Sequence, residues 1–298
     1  MKTNPKIGAI IVAWHPEPVT LKYLIEDIQA QSDLVLVIDN TQPSPIRKWE
    51  LAKRKGIVLI DPNENLGVAA AINRGVVVLK KLDCQYALLL DQDSRPRKHM
   101  VATLVEQLET LESEGEKVAA IGPSILDRAT ETRAPFVNFD LPFNKHLRKD
   151  SGAAACDFLI TSGKLVNLKH WPEIGPMREA WFIDSIDLEW CFRARRKGFG
   201  IYGSFDTELL HSIGEYRRLW SGPGSPSYRH HSSDRLYTMM RNRVFLYRSK
   251  APAAWIVHDL LRTLGKLAMF STLIGPRAAN LKAMLRGLRD GLLTRPIP

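Results

Sequence analysis

The sequence predicts an α/β fold: a mostly parallel central sheet flanked by helices, followed by a helical C-terminal extension. Two observations carry this. Over the first hundred residues, strand-like apolar runs alternate with helix-like stretches. The strands also read as continuous Val/Ile/Leu runs, the pattern of strands buried on both faces. A chain of 298 residues is long enough to bury such a core.

In order, IGAIIVAW is a strand and PVTLKYLIEDIQAQ an amphipathic helix opened by Pro18, whose missing N–H costs nothing in a first turn. LVLVIDN is a second strand, closed by the proline-rich turn TQPSP. A helix around residues 46–55, the short strand GIVLID, a helix from near Leu66 and the strand YALLLD follow. A helix over 98–113 and the strand VAAIGPSIL continue the sheet. Residues 127–152 are polar with little periodicity, and 153–211 are mixed, ending in the strand IYGSFDTELLH. Residues 219–233 form a loop dense in Gly, Pro and Ser, either a closing flap or a plain linker. The expected division is a domain over 1–233 and a basic helical extension over 234–298.

The net charge of +10 sits in the tail. Residues 1–234 balance at 30 basic and 30 acidic, whereas from Arg235 onward 12 basic residues face only Asp259 and Asp290. A basic tail can meet nucleic acid or an anionic membrane surface. Its basic residues alternate with aliphatic ones and few aromatics, which disfavours nucleic acid. Residues 254–274 are apolar but carry His258, Asp259, Arg262 and Lys266, too many polar groups for a membrane span. The pattern fits an amphipathic helix with Ile256, Leu260, Leu264 and Leu267 on one side, which either caps a core or lies on a bilayer. Cys84, Cys156 and Cys191 lack metal-ligand spacing and read as buried thiols of a reducing compartment. The N-terminal apolar run is too short for a signal segment, so a cytoplasmic chain is expected, with peripheral contact at the inner membrane face as an option.

Ligands of parallel sheets bind beyond the carboxyl ends of the strands. Three such ends, Ala13-Trp14-His15, Asp39-Asn40 and Asp91-Gln92-Asp93, should therefore crowd one rim. No G-x-G-x-x-G and no P-loop follows the first strand, which disfavours nicotinamide and P-loop enzymes. Asp91 and Asp93 end an apolar strand one residue apart, as a solvated turn or as a pair converging on a cation. NLGVAAAINRG puts Asn65, Gly67, Asn73 and Gly75 around three alanines, the makings of a helix packed closely on the sheet or on a ligand. In WFIDSIDLEWCFRARRKG, Asp184, Asp187 and Glu189 open a helix, as the macrodipole favours; a functional carboxylate among them would serve as general base. His211 ends the strand TELLH and is a candidate third metal ligand.

Taken together, IGAIIVAWHP, VLVIDN, NENLGVAAAINRG, YALLLDQDS, DFLITSGKLV, WFIDSIDLEWCFRAR and LLHSIGE resemble, in order, the family 2 glycosyltransferases of GT-A fold. LLLDQDS and FIDSIDLEW resemble in particular the bacterial rhamnosyltransferases of surface-polysaccharide assembly, and RLYTMMRNRVFLYR resembles their basic C-terminal segment. The resemblance implies an inverting, metal-dependent transfer of L-rhamnose from dTDP-β-L-rhamnose to a saccharide or lipid-linked saccharide. It implies that Ala13, Trp14 and Asp39 hold the base and ribose, and that Asn65, Gly67, Asn73 and Gly75 shape the nucleotide pocket. Asp91 would face ribose or metal, Asp93 and His211 would bind Mg²⁺ or Mn²⁺, Ser162 and Gly163 would line the sugar, and Arg241 would join the donor site. Asp184 falls at the base position with Asp187 beside it; many members read Glu-Asp where this chain has Asp184-Ser185, and Asp184 is the expected base.

The sequence also admits other readings. A UDP- or GDP-sugar could replace the dTDP donor. A haloacid-dehalogenase-type phosphatase would use Asp91 as nucleophile and Asp93 as acid–base, but its motif sits on a first strand and continues with Thr or Val. A non-catalytic saccharide- or membrane-binding protein would not need Asp91, Asp93, Asp184 and His211 all intact.

Overall fold

The structure, a computed structural model, describes residues 5–49, 54–128, 130–211, 216–219, 225 and 227–294. Part of the helix expected around 46–55, the end of LLHSIGE and part of the 219–233 loop lie outside these residues. What is described of the first is a single 3-10 turn, Ile46–Lys48.

The strands are β1 (Ile7–Ala13), β2 (Leu34–Asp39), β3 (Ile57–Ile60), β4 (Tyr86–Asp91), β5 (Arg95–Pro96), β6 (Val118–Asp127), β7 (Arg133–Ala134), β8 (Phe136–Asn138), β9 (Lys145–Leu147), β10 (Ala153–Ala155), β11 (Lys164–Asn167), β12 (Gly200–His211), β13 (Tyr216–Arg218) and β14 (Ser227–Arg229). The helices are α1 (Pro18–Gln29), α2 (Gly67–Lys81), α3 (Met100–Ser113), α4 (Trp171–Ile174), α5 (Ile186–Arg196), α6 (Ser233–Arg248), α7 (Ala253–Thr272) and α8 (Arg277–Leu293). The central sheet runs β10-β12-β6-β11-β4-β1-β2-β3. Its β3-β2-β1-β4 half is parallel, as the alternation of strand and helix requires. The other half departs from that rhythm: β11 enters antiparallel between β4 and β6, while β6 and β12 pair in parallel.

Period-two alternation divides the core between the two faces. Ile10, Leu36, Ile38 and Leu89 pack with α2 and α5. Ile11, Val35, Val37, Leu88 and Leu90 pack with α1 and α3. The α6 residues Phe245 and Leu246 and the α7 residue Trp255 join the first cluster, so the C-terminal helices share the core of the sheet. The three cysteines are buried free thiols.

The apolar stripe expected on α7 is split: Ile256 and Leu267 pack against the core, whereas Leu260 and Leu264 do not. Trp255, Asp259, Thr263 and Phe270 are buried, while Val257, Leu260, Leu261 and Leu264 are exposed. Partners on α6 make this possible: the Tyr247 hydroxyl donates to Asp259 at 2.7 Å, and Arg243 donates to the Thr263 hydroxyl at 2.7 Å. Among the described residues, no helix is long and apolar enough to cross a membrane.

Candidate active site

The carboxyl ends of the parallel strands meet as expected. Ala13 pairs with Asp39 across β1 and β2, and Val12 with Asp91 across β1 and β4. Asp39 is fully buried and commits both oxygens to its own turn, accepting from the Thr41 amide at 3.0 Å and the Ser44 hydroxyl at 2.5 Å. Thr41 in turn accepts from the His15 amide at 2.7 Å. The Trp14 indole projects from this rim, 57% exposed, an open aromatic face beside buried carboxylates. Gln92 fixes its backbone, accepting from the Trp14 amide at 2.7 Å and donating to the Trp14 carbonyl at 3.1 Å.

Asp91, Asp93 and His211 lie together. The short β5 pairs antiparallel with the end of β12, Leu210 opposite Arg95, and this register carries the Asp-x-Asp turn to His211. The nearly buried imidazole stands between the carboxylates, its Nε2 3.6 Å from Asp91 and its Nδ1 3.5 Å from Asp93. Among the described residues, no three His, Cys, Asp or Glu side chains already converge to cage an ion. The donor types nevertheless suit Mn²⁺ or Mg²⁺ with further oxygens from a ligand. His211 Nδ1 is also buried without a hydrogen-bond partner, the orphan atom that a cation facing Asp93 would satisfy. Burial pushes the Asp91 carboxyl above its ordinary value; His211 opposes this, and Asp93 and Asp187 add to it. Asp187 is thus near enough to Asp91 for its charge to be felt there.

The segment before α5 is shaped by backbone strain. Phe182, Asp184 and Ser185 all have positive φ, at 64°, 65° and 63°, a region costing a non-glycine residue about 1 kcal/mol. Asp184 is gripped by α6: Arg235 Nη2 and Nε donate to its two oxygens at 3.0 and 3.3 Å. Among the described residues no cation forms an ion pair with Asp187, in the first turn of α5; its Oδ1 accepts from the Leu188 amide at 2.8 Å. Burial pushes the Asp187 carboxyl up, with Lys164 pulling the other way and Asp184 adding to the rise. Glu189 turns inward to Arg193, which reaches it with Nε at 2.9 Å and Nη2 at 2.7 Å. That pair belongs to the core.

The other expected residues mostly shape this segment. Asn65 accepts from the Gly67 amide at 3.0 Å, setting the turn into α2. Gly67 has φ +76°, and a Cβ there would lie 2.5 Å from the Phe182 ring. The Phe182 carbonyl accepts from Val68 at 2.7 Å, so the start of α2 is bound to the strained segment. Asn73 clasps the same region, donating to the Met177 carbonyl at 2.9 Å and accepting from the Met177 amide at 2.9 Å. Gly75 lets α2 seat on Ile10 of the sheet. The Ser162 hydroxyl bonds that of Ser94 and accepts from the Asp91 amide at 3.4 Å, while Gly163, at φ +85°, donates to the Leu89 carbonyl at 2.8 Å. Arg241 donates to the Ala180 and Trp181 carbonyls at 3.2 Å, behind the cleft.

Three residues carry the site without having been singled out in the sequence. Gln92 sits inside the Asp-x-Asp motif and reads as its spacer. Lys164 is fully buried, its ammonium 3.6 Å from Cys191 and 5.5 Å from the centre of the Trp190 ring. Asn242 is fully buried on α6 and donates to the carbonyls of Trp181, Ile183 and Asp184 at 2.9, 2.7 and 3.0 Å. An asparagine amid the apolar residues of an amphipathic helix was the available signal.

Among the described residues, at least four cavities, of about 360 to 710 Å³, have the size of a ligand site. One of about 710 Å³ lies at the amino ends of the strands, near Ile7 and Asp33, away from this chemistry. Another of about 660 Å³ opens beside Asp184 and Ser185 under α7.

The site's composition agrees with what the chain is similar to. Residues 9–163 match the family model described as Glycosyl transferase family 2. Over 248 residues, 82% of this chain and 81% of the relative, it is 30% identical to dTDP-rhamnosyl transferase RfbF of Shigella flexneri. Among solved structures, GalNAc-T7 with UDP, GalNAc and Mn²⁺ superposes with a TM-score of 0.63 at 11% identity, over 98% of this chain and 56% of that one. S. aureus TarS 1–349 in complex with UDP-GlcNAc does so with a TM-score of 0.60 at 15% identity, over 98% and 82%. At such identities the superpositions speak for the fold, which is GT-A. With over half its length matched by the family model, the chain belongs to glycosyl transferase family 2 and is a glycosyltransferase.

Proposed function

We propose that the protein is an inverting, divalent-metal-dependent rhamnosyltransferase that moves L-rhamnose from dTDP-β-L-rhamnose to a saccharide or lipid-linked saccharide of the cell surface. The observation that supports transfer most directly is the meeting of Asp91, Asp93 and His211 on the rim that also carries Trp14 and Asp39. The donor is taken from the 30%-identical relative. Asp93 and His211, with Asp91 beside them, would hold Mg²⁺ or Mn²⁺. Such a cation, when bound, neutralises the charge that gathers on the diphosphate leaving group.

The chain's own residues do the rest. The Trp14 indole offers a face for the base, with its backbone position set by Gln92. Asp39 acts through the buried turn that it organises. Single displacement then requires a carboxylate on the acceptor side to take the hydroxyl proton. Of the two candidates, Asp184 occupies the position that the resemblance indicates, but Arg235 holds both its oxygens. Asp187 has no such ion pair among the described residues, and burial strengthens its hold on protons, which suits a base. We therefore assign the proton transfer to Asp187 and give Asp184 the task of anchoring α6.

Thermal shift and transfer assays with Mn²⁺ and a panel of nucleotide sugars test this reading. Stabilisation by dTDP and turnover of dTDP-rhamnose are expected. Stabilisation by UDP-sugars with none by dTDP or dTDP-rhamnose would overturn the donor assignment.

A further inference from the structure

The connection between β8 and β9 turns apolar side chains toward solvent. The two strands pair Phe136 with Leu147 and Asn138 with Lys145, which leaves residues 139–144 as the tip. Its first residue faces inward. The Phe139 ring stacks on Phe158 with centroids 5.6 Å apart and meets Phe192 edge-on at 5.9 Å, and its amide donates to Asp157 at 2.6 Å. The chain then turns outward: Leu141, Pro142 and Phe143 are consecutive and exposed, Leu141 by 51% and Phe143 by 81%. Among the described residues Phe143 is the most exposed large hydrophobic side chain. Three apolar residues in a row at a loop tip gain nothing from the fold and mark a surface that meets something else.

The charges beside the tip indicate the partner. Lys145, His146, Arg148 and Lys149 follow within six residues of Phe143, and all four are exposed. Lys145 pairs with Asp140 at 2.5 Å, and the Lys149 ammonium donates to the Ala153 carbonyl at 3.0 Å. Arg148 has no ion pair with a carboxylate among the described residues. An apolar tip flanked by cations is complementary to hydrocarbon lying beneath anionic headgroups. A soluble anion would satisfy the cations but leave Phe143 in water. The tip also adjoins the outer side of α7. His258 Nε2 donates to the Asp140 carbonyl at 2.9 Å, and one turn further along the helix stands Leu261, 65% exposed.

We propose that the β8–β9 tip is a membrane-inserting wedge, with Leu141 and Phe143 entering the edge of an anionic bilayer and Arg148 and Lys149 meeting its headgroup phosphates. This gives part of the polar stretch 127–152 a task apart from the transfer chemistry, and it holds whichever donor the enzyme uses.

The test is partitioning of the full-length protein onto phosphatidylglycerol-containing and pure phosphatidylcholine vesicles. Wild type should favour the anionic vesicles. Leu141→Ser with Phe143→Ser should weaken that binding roughly tenfold or more, at an unchanged melting temperature. Arg148→Gln with Lys149→Gln should weaken it roughly tenfold, and Phe143→Trp should bind at least as well as wild type. Insertion is read directly with an environment-sensitive dye on Phe143→Cys, since the three native cysteines are buried. Its emission should shift to the blue with anionic vesicles, whereas the same dye on Glu106→Cys of α3, across the sheet from α7, should not respond. Equal partitioning of wild type and the serine variant overturns the proposal, as does equal binding to the two kinds of vesicle or a dye response at both positions or at neither. Self-association of wild type without lipid that the serine variant loses would assign the tip to a second copy and also overturn it.

Discussion

The Asn242 carboxamide on α6 donates to the backbone carbonyl of Asp184, 58 residues earlier, at 3.0 Å, and to those of Ile183 and Trp181 in the same turn. One side chain thereby ties down a segment with three positive-φ residues. Asn242→Leu removes the donors and leaves buried carbonyls unpaired, which costs about 1–3 kcal/mol. A lowered melting temperature is expected, with kcat falling more than dTDP binding, since the segment carries the carboxylates proposed for the acceptor side.

Asp187→Asn separates stability from chemistry. Burial raises this carboxyl's pKa in the folded state, so folding takes up a proton more readily than the unfolded chain does. Its stabilising contribution is thus full below the unfolded value and lost as pH rises through the raised one. At neutral pH the ionised carboxylate is a cost. The variant should melt higher than wild type at pH 7, and the gap should close as pH falls. Transfer should drop roughly a hundredfold to ten-thousandfold. In wild type, the acid limb of kcat/KM should lie above the ordinary carboxylate range.

His211→Ala and Asp93→Asn should weaken Mn²⁺ binding in the presence of dTDP, followed by the paramagnetic resonance signal of free Mn²⁺. A loss of roughly tenfold or more is expected, with a melting temperature near wild type. Retention of wild-type Mn²⁺ affinity in both variants would remove these residues from the metal site.

Gly67→Ala places a methyl group 2.5 Å from the Phe182 ring and 2.7 Å from its carbonyl, at a φ of +76°. The substitution should destabilise the fold by about 1–3 kcal/mol. Thermal melting gives that loss, and Gly115→Ala, where a Cβ meets nothing within 4 Å at φ +95°, reports the backbone strain alone.

The exposed leucines of α7 and α8 suit the surface of an anionic bilayer, because Leu261, Leu264, Leu292 and Leu293 stand open on a segment rich in Lys and Arg. Wild type should float with vesicles containing anionic lipid, and Leu261→Gln with Leu264→Gln and Leu293→Gln should stay behind. Equal flotation of the two proteins would sink this reading.

The first half of the sheet was legible because β1, β2 and β4 are long apolar runs separated by helices of ordinary length. The second half was not. β11 is four buried residues, too short to show its direction, and its antiparallel entry is decided by partners on β4 and β6. Asp91, Asp93 and His211 could each be named from strand ends, but their meeting depends on a two-residue strand pairing with β12. The grip of Arg235 and Asn242 on the Asp184 turn was hidden because the tail reads as a basic surface. Whether α7 caps a core or faces outward could not be decided from its pattern, because Asp259 and Thr263 take inner positions only where Tyr247 and Arg243 supply partners.

The packing of α7 brings two environments within one helix of each other. On its inner side α7 presents Lys266 and Trp255 to the cavity beside Asp184; on its outer side it presents Leu261 and Leu264. An α-helix with its side chains is only about 10–12 Å across. An acceptor whose carrier stayed in the bilayer would need to pass only the width of α7 to place its sugar at the cleft, so this one helix would set how far the reacting hydroxyl must rise from the membrane.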